Sequence, residues 1–285
     1  MRPSKEHIRQ SSLQYKKSLG QHFLYDDDLL AQLVTLAQVN GETDVLEIGP
    51  GAGTLTKHLC ESAHHVLSLE MDERLIPLLG AYMEPYGDFS LVQGDAMSVD
   101  LSAVTAGLRK PFAVVANIPY YITTPLITRL LTSGLPLTRL CLMVQREVAD
   151  KILSQPGDDG WGMLAVRCQY ATVPEKLLDV PAACFTPPPK VDSAFIGLTV
   201  RETPAVQPAF ETDFFQIVNV AFALRRKTMV NALCACLRLE RPEALSLMEA
   251  AALDERVRGE KLTLEELRRL SDAWTALQAA KEARP

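Results

Sequence analysis

Asp44-Val45-Leu46-Glu47-Ile48-Gly49-Pro50-Gly51-Ala52-Gly53 decides the fold. Aliphatic and β-branched residues at its start read as a buried strand. Three glycines at alternate positions then let the backbone turn sharply and approach a ligand closely. Leu55-Thr56-Lys57-His58-Leu59-Cys60 follows with apolar residues at helical spacing. Outward from this strand–turn–helix unit the alternation continues. HVLSLE, FSLVQ, FAVVAN and RLCLMV read as strands, and ERLIPLLGAYM and TPLITRLLTSG as the helices between them. Such alternation requires right-handed crossovers and a parallel, doubly wound α/β sheet. Upstream, Asp27 or Asp28 is placed to cap a helix through LLAQLVTLAQV; downstream, QREVADKIL reads as a helix, GDDGWG as a loop, and EKLLDVP and SAFIGLTV as strands.

Near ETPAVQP the pattern changes, and the rest of the chain is helical in periodicity. This predicts a first domain over residues 1–204, with a basic arm over 1–20, and a smaller all-helical domain over 205–285. The 285 residues are 47% hydrophobic and 22% charged, which excludes a disordered or collagen-like chain. No apolar run approaches 18 residues and no apolar stretch follows the basic start, so neither a membrane span nor a secretory signal is expected. Six cysteines are scattered without a CxxC pair, which points to reduced thiols and no metal site. A net charge of −6 argues mildly against nucleic acid, but Arg2, Lys5, Arg9, Lys16 and Lys17 face only Glu6 in the arm.

The glycine turn has GxGxG spacing, not the GxGxxG of dinucleotide binders, so a nucleoside carrying an amino acid suits it better than a diphosphate. Glu70 closes the next strand, where a carboxylate can accept both ribose hydroxyls, and Asp95 follows the third, where one can accept from an adenine amino group. Each acid alone reads more simply as a solvated turn residue; acids at successive strand tips of one sheet are harder to dismiss. The fourth strand ends in Asn117-Ile118-Pro119-Tyr120. An exocyclic amine on a base is a poor nucleophile because its lone pair is delocalised into the ring. The Asn117 side-chain oxygen and the next carbonyl can each accept one amine N–H and turn that lone pair toward an electrophile. Pro119 stiffens the turn and Tyr120 offers a face for a base.

Together these residues resemble the class I S-adenosylmethionine-dependent methyltransferases that act on adenine N6. Leu19-Gly20-Gln21-His22-Phe23-Leu24, the extended NIPYYITTP over 117–125, Phe185-Thr186-Pro187-Pro188-Pro189-Lys190-Val191 and Leu224-Arg225-Arg226-Lys227-Thr228 narrow the resemblance to the rRNA adenine N6,N6-dimethyltransferases. The matches run from residue 19 to 231 in the family's order. The resemblance implies a Rossmann-like domain and S-adenosylmethionine bound by His22, Leu24, Gly49, Gly51, Glu70, Asp95 and Asn117. It implies catalysis at Asn117, Ile118, Pro119 and Tyr120, with Tyr120 and Phe185 sandwiching a flipped adenine. His22 departs from the asparagine common at its position. RNA contacts are expected from Lys16, Lys17, Arg225, Arg226 and Lys227.

The implied reaction is dimethylation of two adjacent adenines in the 3′-terminal hairpin loop of 16S rRNA, in the assembling 30S subunit, by a cytoplasmic monomer without metal. An Erm-type 23S rRNA methyltransferase is the nearest alternative. An assembly factor acting mainly by binding is the second, and a DNA adenine methyltransferase the third. Trp161 reads as a core anchor, His58, His64 and His65 as surface or packing residues, and Gln145-Arg146-Glu147 as a charge-paired helix start.

Overall fold

A computed structural model of the chain describes residues 22–282. The chain divides into two compact units: one runs to Ala149 and resumes over Val173–Val200, and the other takes Asp150–Thr172 and everything from Arg201. The division is interleaved rather than a single cut near residue 204. Residues 150–172 belong with the helices, because Trp161, Val166 and Tyr170 share a core with Phe214, Ile217 and Leu267.

The first unit is built on strands β2 (Asp44–Ile48), β3 (His65–Glu70), β4 (Phe89–Gln93), β5 (Phe112–Asn117), β6 (Leu137–Gln145), β7 (Thr172–Val180) and β9 (Ser193–Val200). They form one seven-stranded sheet in the order β4-β3-β2-β5-β6-β9-β7. The pairs β2–β3, β2–β5, β3–β4 and β5–β6 are parallel, whereas β6 and β9 are antiparallel. The expected α/β sheet is therefore present and is mostly parallel. All five residues of β2 are buried, as a strand covered on both faces requires. The strand order reverses between β2 and β5, and a crevice at the carboxyl ends of the strands belongs at such a switch point.

Helices α1 (Asp27–Leu36), α2 (Thr54–Cys60), α3 (Ile76–Met83), α4 (Leu101–Val104), α5 (Thr123–Thr132) and α6 (Arg146–Leu153) connect the strands. The cap of α1 is Asp26, whose Oδ1 accepts from Leu29 N at 3.1 Å, not Asp27 or Asp28. Asp27 accepts instead from His58 Nε2 at 3.0 Å. Two short strands escape a periodicity reading: β1 (Phe23–Leu24) and β8 (Phe185–Thr186) pair antiparallel, with Phe23 opposite Thr186 and Leu24 opposite Phe185.

The second unit contains α7 (Met163–Ala171), α8 (Glu211–Ala223), α9 (Met229–Leu237), α10 (Arg241–Ala250) and α11 (Leu264–Glu282). Thr228 caps α9, and Glu240 with Glu243 form a capping box on α10. Trp161 is the expected anchor: it is buried, and its indole N–H donates to Leu262 O at 3.1 Å. Cys141 and Cys168 are buried and Cys236 is exposed; all six thiols are free. Among the described residues no helix is long and apolar enough to cross a membrane, and no group of three His, Cys, Asp or Glu is placed to hold a metal.

Candidate cofactor and base-binding site

The site begins at the turn after β2. Gly49 N donates to Leu69 O at 3.0 Å, which ties the turn to the neighbouring strand. Gly51 has φ +58°, and a Cβ there would stand 2.5 Å from the ring of Phe23. Only glycine meets both the left-handed backbone and the close approach. At Gly49 a Cβ would meet nothing within 4 Å, so this part of the turn borders open space.

Glu70, at the tip of β3, is buried and bonded to the same turn. Its Oε2 accepts from Gly51 N at 3.1 Å and its Oε1 from Asp72 N at 2.8 Å. A carboxylate offers about four lone-pair sites, so acceptor capacity remains for a ligand. Burial pushes this carboxyl above its usual value, against the backbone N–H groups of Asp72, Gly51 and Met71 that favour the ion. Beneath it lies Glu47, 1% exposed, which accepts from Ser68 Oγ at 2.6 Å. Burial raises the Glu47 carboxyl to about 7; the Ser68 bond opposes the shift and the Glu70 charge adds to it.

Asp95 stands half-buried past the tip of β4, and its Oδ1 accepts from Met97 N at 2.8 Å. At the end of β5, Asn117 Nδ2 donates to His22 O at 2.9 Å. Because a carbonyl only accepts, this bond fixes the amide so that Oδ1 is the atom left for a ligand. The His22 ring is itself held: Nδ1 donates to Pro187 O at 2.7 Å, and the ring stacks on Tyr120 with centroids 5.7 Å apart and planes at 24°. Tyr120 is anchored at its far end by a 2.6 Å hydrogen bond between its hydroxyl and Ser193 Oγ, and burial raises its phenol.

All the expected cofactor residues, His22 and Leu24 through Gly49, Gly51 and Glu70 to Asp95 and Asn117, line one cleft of about 970 Å³ including its mouth. Ile118, Pro119 and Tyr120 line it too. Phe185 does not join them. It is 2% exposed, paired with Leu24 and packed into the core of the first unit, away from the residues that line the cleft. Sequence reasoning also missed Phe23, Leu30, Met71 and Ile122, which line the cleft as apolar surface. Phe23, Met71 and Ile122 adjoin the motif residues in sequence; Leu30 carries no signal beyond its place in a helix.

Of the expected RNA contacts, Lys16 and Lys17 lie outside the described residues. Arg226 and Lys227 are exposed. Arg225 is partly committed: it donates to Asp159 O at 2.8 Å and lies 3.7 Å from Glu260. Arg146 faces Asp179 and Asp192 at 3.6 and 3.3 Å, the charge-paired helix start anticipated for it.

The ribosomal RNA adenine dimethylase family matches this chain over residues 12–273. The chain belongs to that family. It is 39% identical over 277 residues to ribosomal RNA small subunit methyltransferase A of Geobacillus sp. strain WCH70, covering 95% of each chain. The like-named protein of Clostridium acetobutylicum is 39% identical over 265 residues, covering 93% of this chain and 95% of its own. Among solved structures, a dimethyladenosine transferase from Plasmodium falciparum shares the fold with a TM-score of 0.75 at 24% identity, over 92% of this chain and 98% of its own. The 23S rRNA methyltransferase ErmE aligns with a TM-score of 0.68 at 26% identity, over 88% and 98%. The fold is thus that of Rossmann-like methyltransferases with helices appended, and the activity is rRNA adenine methylation. S-adenosylmethionine is the methyl donor of this chemistry. The residues present fit it: open space over Gly49, acceptor capacity on Glu70 and Asp95 at successive strand tips, and apolar walls between.

Proposed function

We propose that this chain converts two adjacent adenines in the 3′-terminal hairpin loop of 16S rRNA to N6,N6-dimethyladenosine, on the assembling 30S subunit. It would act as a cytoplasmic monomer without metal. Relatives named for the small subunit are 38–40% identical over about 95% of the chain, against 26% for the 23S enzyme, and this favours the small-subunit substrate over the Erm-type alternative. The observation that carries the chemistry is the fixed Asn117 amide, locked by the His22 carbonyl with Oδ1 left to accept.

In this reading Glu70 accepts the ribose hydroxyls of the cofactor, Asp95 its 6-amino group, and the Gly49–Gly51 backbone takes its amino-acid end. His22 and Leu24 close the pocket from the N-terminal segment. The bound cofactor supplies a methyl group on a sulfonium that is already a good leaving group. What the chain must add is position. Asn117 Oδ1 and the Ile118 carbonyl accept the two N–H bonds of the target amine, holding nitrogen toward tetrahedral geometry with its lone pair aimed at the methyl carbon. Pro119 stiffens that turn. Tyr120, braced by Ser193 and His22, takes the stacking of the extruded base, which is easier to extract from an RNA loop than from a duplex. Nitrogen–carbon bond formation breaks the carbon–sulfur bond, and one amine proton leaves to solvent; a second round adds the second methyl.

Asn117→Ala is expected to cut methyl transfer by roughly 10²-fold or more while thermal unfolding changes little. Purified Asn117→Ala turning over at the parent rate would remove the amine-orienting role.

A further inference from the structure

One cation in the first unit is spent in an unusual way. Arg129, on α5, sends Nη1 to Met97 O at 2.6 Å and Nη2 to Val99 O at 2.5 Å. No carboxylate pairs with it among the described residues: both Nη atoms go to main-chain carbonyls of one loop, and its buried Nε has no partner. That loop begins at Gly94–Asp95, and of its residues Gly94, Asp95 and Ala96 border the cleft. It is tightly built. Asp95 Oδ1 accepts from Met97 N, Asp95 O accepts from Ser98 N and Val99 N at 2.9 and 3.0 Å, and a Cβ on Gly94 would stand 2.6 Å from Val99. The helix carrying Arg129 starts directly after the Asn117–Ile122 turn. Arg129 therefore joins the element that begins at the target-base turn to the loop that presents Asp95.

We propose that Arg129 is a positioning residue for recognition of the cofactor's purine. By gripping the Met97 and Val99 carbonyls it holds Asp95 with Oδ1 engaged by the loop and Oδ2 aimed to accept from the 6-amino group. This rests on the reading of Asp95 given above. Lysine cannot replace it, because one ammonium nitrogen does not span two carbonyls two residues apart as a guanidinium fork does.

The test compares binding of S-adenosylhomocysteine with that of S-inosylhomocysteine, whose 6-oxo purine has no amino donor. Calorimetry would be run on the full-length parent, Arg129→Met and Arg129→Lys. The parent should prefer the adenine ligand by roughly tenfold or more, as expected for a hydrogen bond to a charged acceptor. Arg129→Met should bring the preference to about twofold, mainly by weakening the adenine ligand, and Arg129→Lys should fall between. If Arg129→Met does not fold, Arg129→Lys carries the same comparison. A variant that keeps the parent's ratio, whether or not both affinities drop together, overturns the proposal and leaves Arg129 as scaffold. A parent indifferent to the 6-substituent removes the Asp95 reading itself, and the role of Arg129 with it.

Discussion

Asn117 and Glu47 stand near the ends of neighbouring strands, yet their surroundings ask opposite things of them. Asn117 is neutral and oriented by one backbone carbonyl, so its work is geometric. Glu47 is ionisable and sealed in, with its carboxyl raised from 4.5 to about 7. The folded state therefore holds this proton more tightly than the unfolded chain does. Its contribution to stability is complete below pH 4.5 and is lost as pH rises through about 7. The size is on the order of 3 kcal/mol. Glu47→Gln, which cannot ionise, should flatten the fall in unfolding free energy between about pH 5 and pH 8. Urea titrations of parent and variant at both ends read this directly, and parallel pH dependences would contradict the assignment. Glu70, Asp95 and Asn117 were legible from sequence because strand tips of a parallel sheet converge on one edge. Phe185 was not. An aromatic before a proline run carries no signal for which way its ring turns, and the pairing with Leu24 that buries it joins residues 161 positions apart.

At the scale of elements, the β2–α2 turn and the β1–β8 pair hold each other. Phe23 occupies the space that a side chain on Gly51 would need. Gly51→Ala must adopt φ +58° with a Cβ and must also displace that ring, at a combined cost of about 2–4 kcal/mol. A lower melting temperature and weakened S-adenosylhomocysteine binding are expected together; parent-like unfolding and calorimetry would show that the turn has room for a side chain. The five parallel-sheet strands, the α1 region and the late helices could be read from periodicity, since burial on two faces or one stripe leaves a mark. Periodicity misses α7, whose Ala165, Val166, Cys168 and Tyr170 are all buried, because a helix covered on several sides has no polar face to reveal its period. It misses β1 and β8 because two residues have no period.

For the whole molecule, composition marks the change near residue 202 but not the return of residues 150–172 to the helical unit. That segment is recruited by distant partners such as Leu262, which accepts from Trp161. A chain of net charge −6 that acts on RNA must confine its cations to patches. Arg226 and Lys227 are exposed, while Arg225 is tied to Asp159. Charge reversal at Arg226 and Lys227 should therefore weaken binding to 30S subunits. It should also lower the salt slope by about one for each phosphate no longer neutralised, with Arg225 the less informative position. Identical binding across a salt titration would assign both to a solvated helix start. Which RNA is methylated, and at which base, can be read in a single experiment. Labelled methyl from S-adenosylmethionine is offered to unmethylated 30S and 50S subunits in parallel, followed by nucleoside analysis. Label in 16S rRNA alone, recovered as N6,N6-dimethyladenosine, is the predicted result. Label in 23S rRNA, or tight 30S binding with no label, would contradict it.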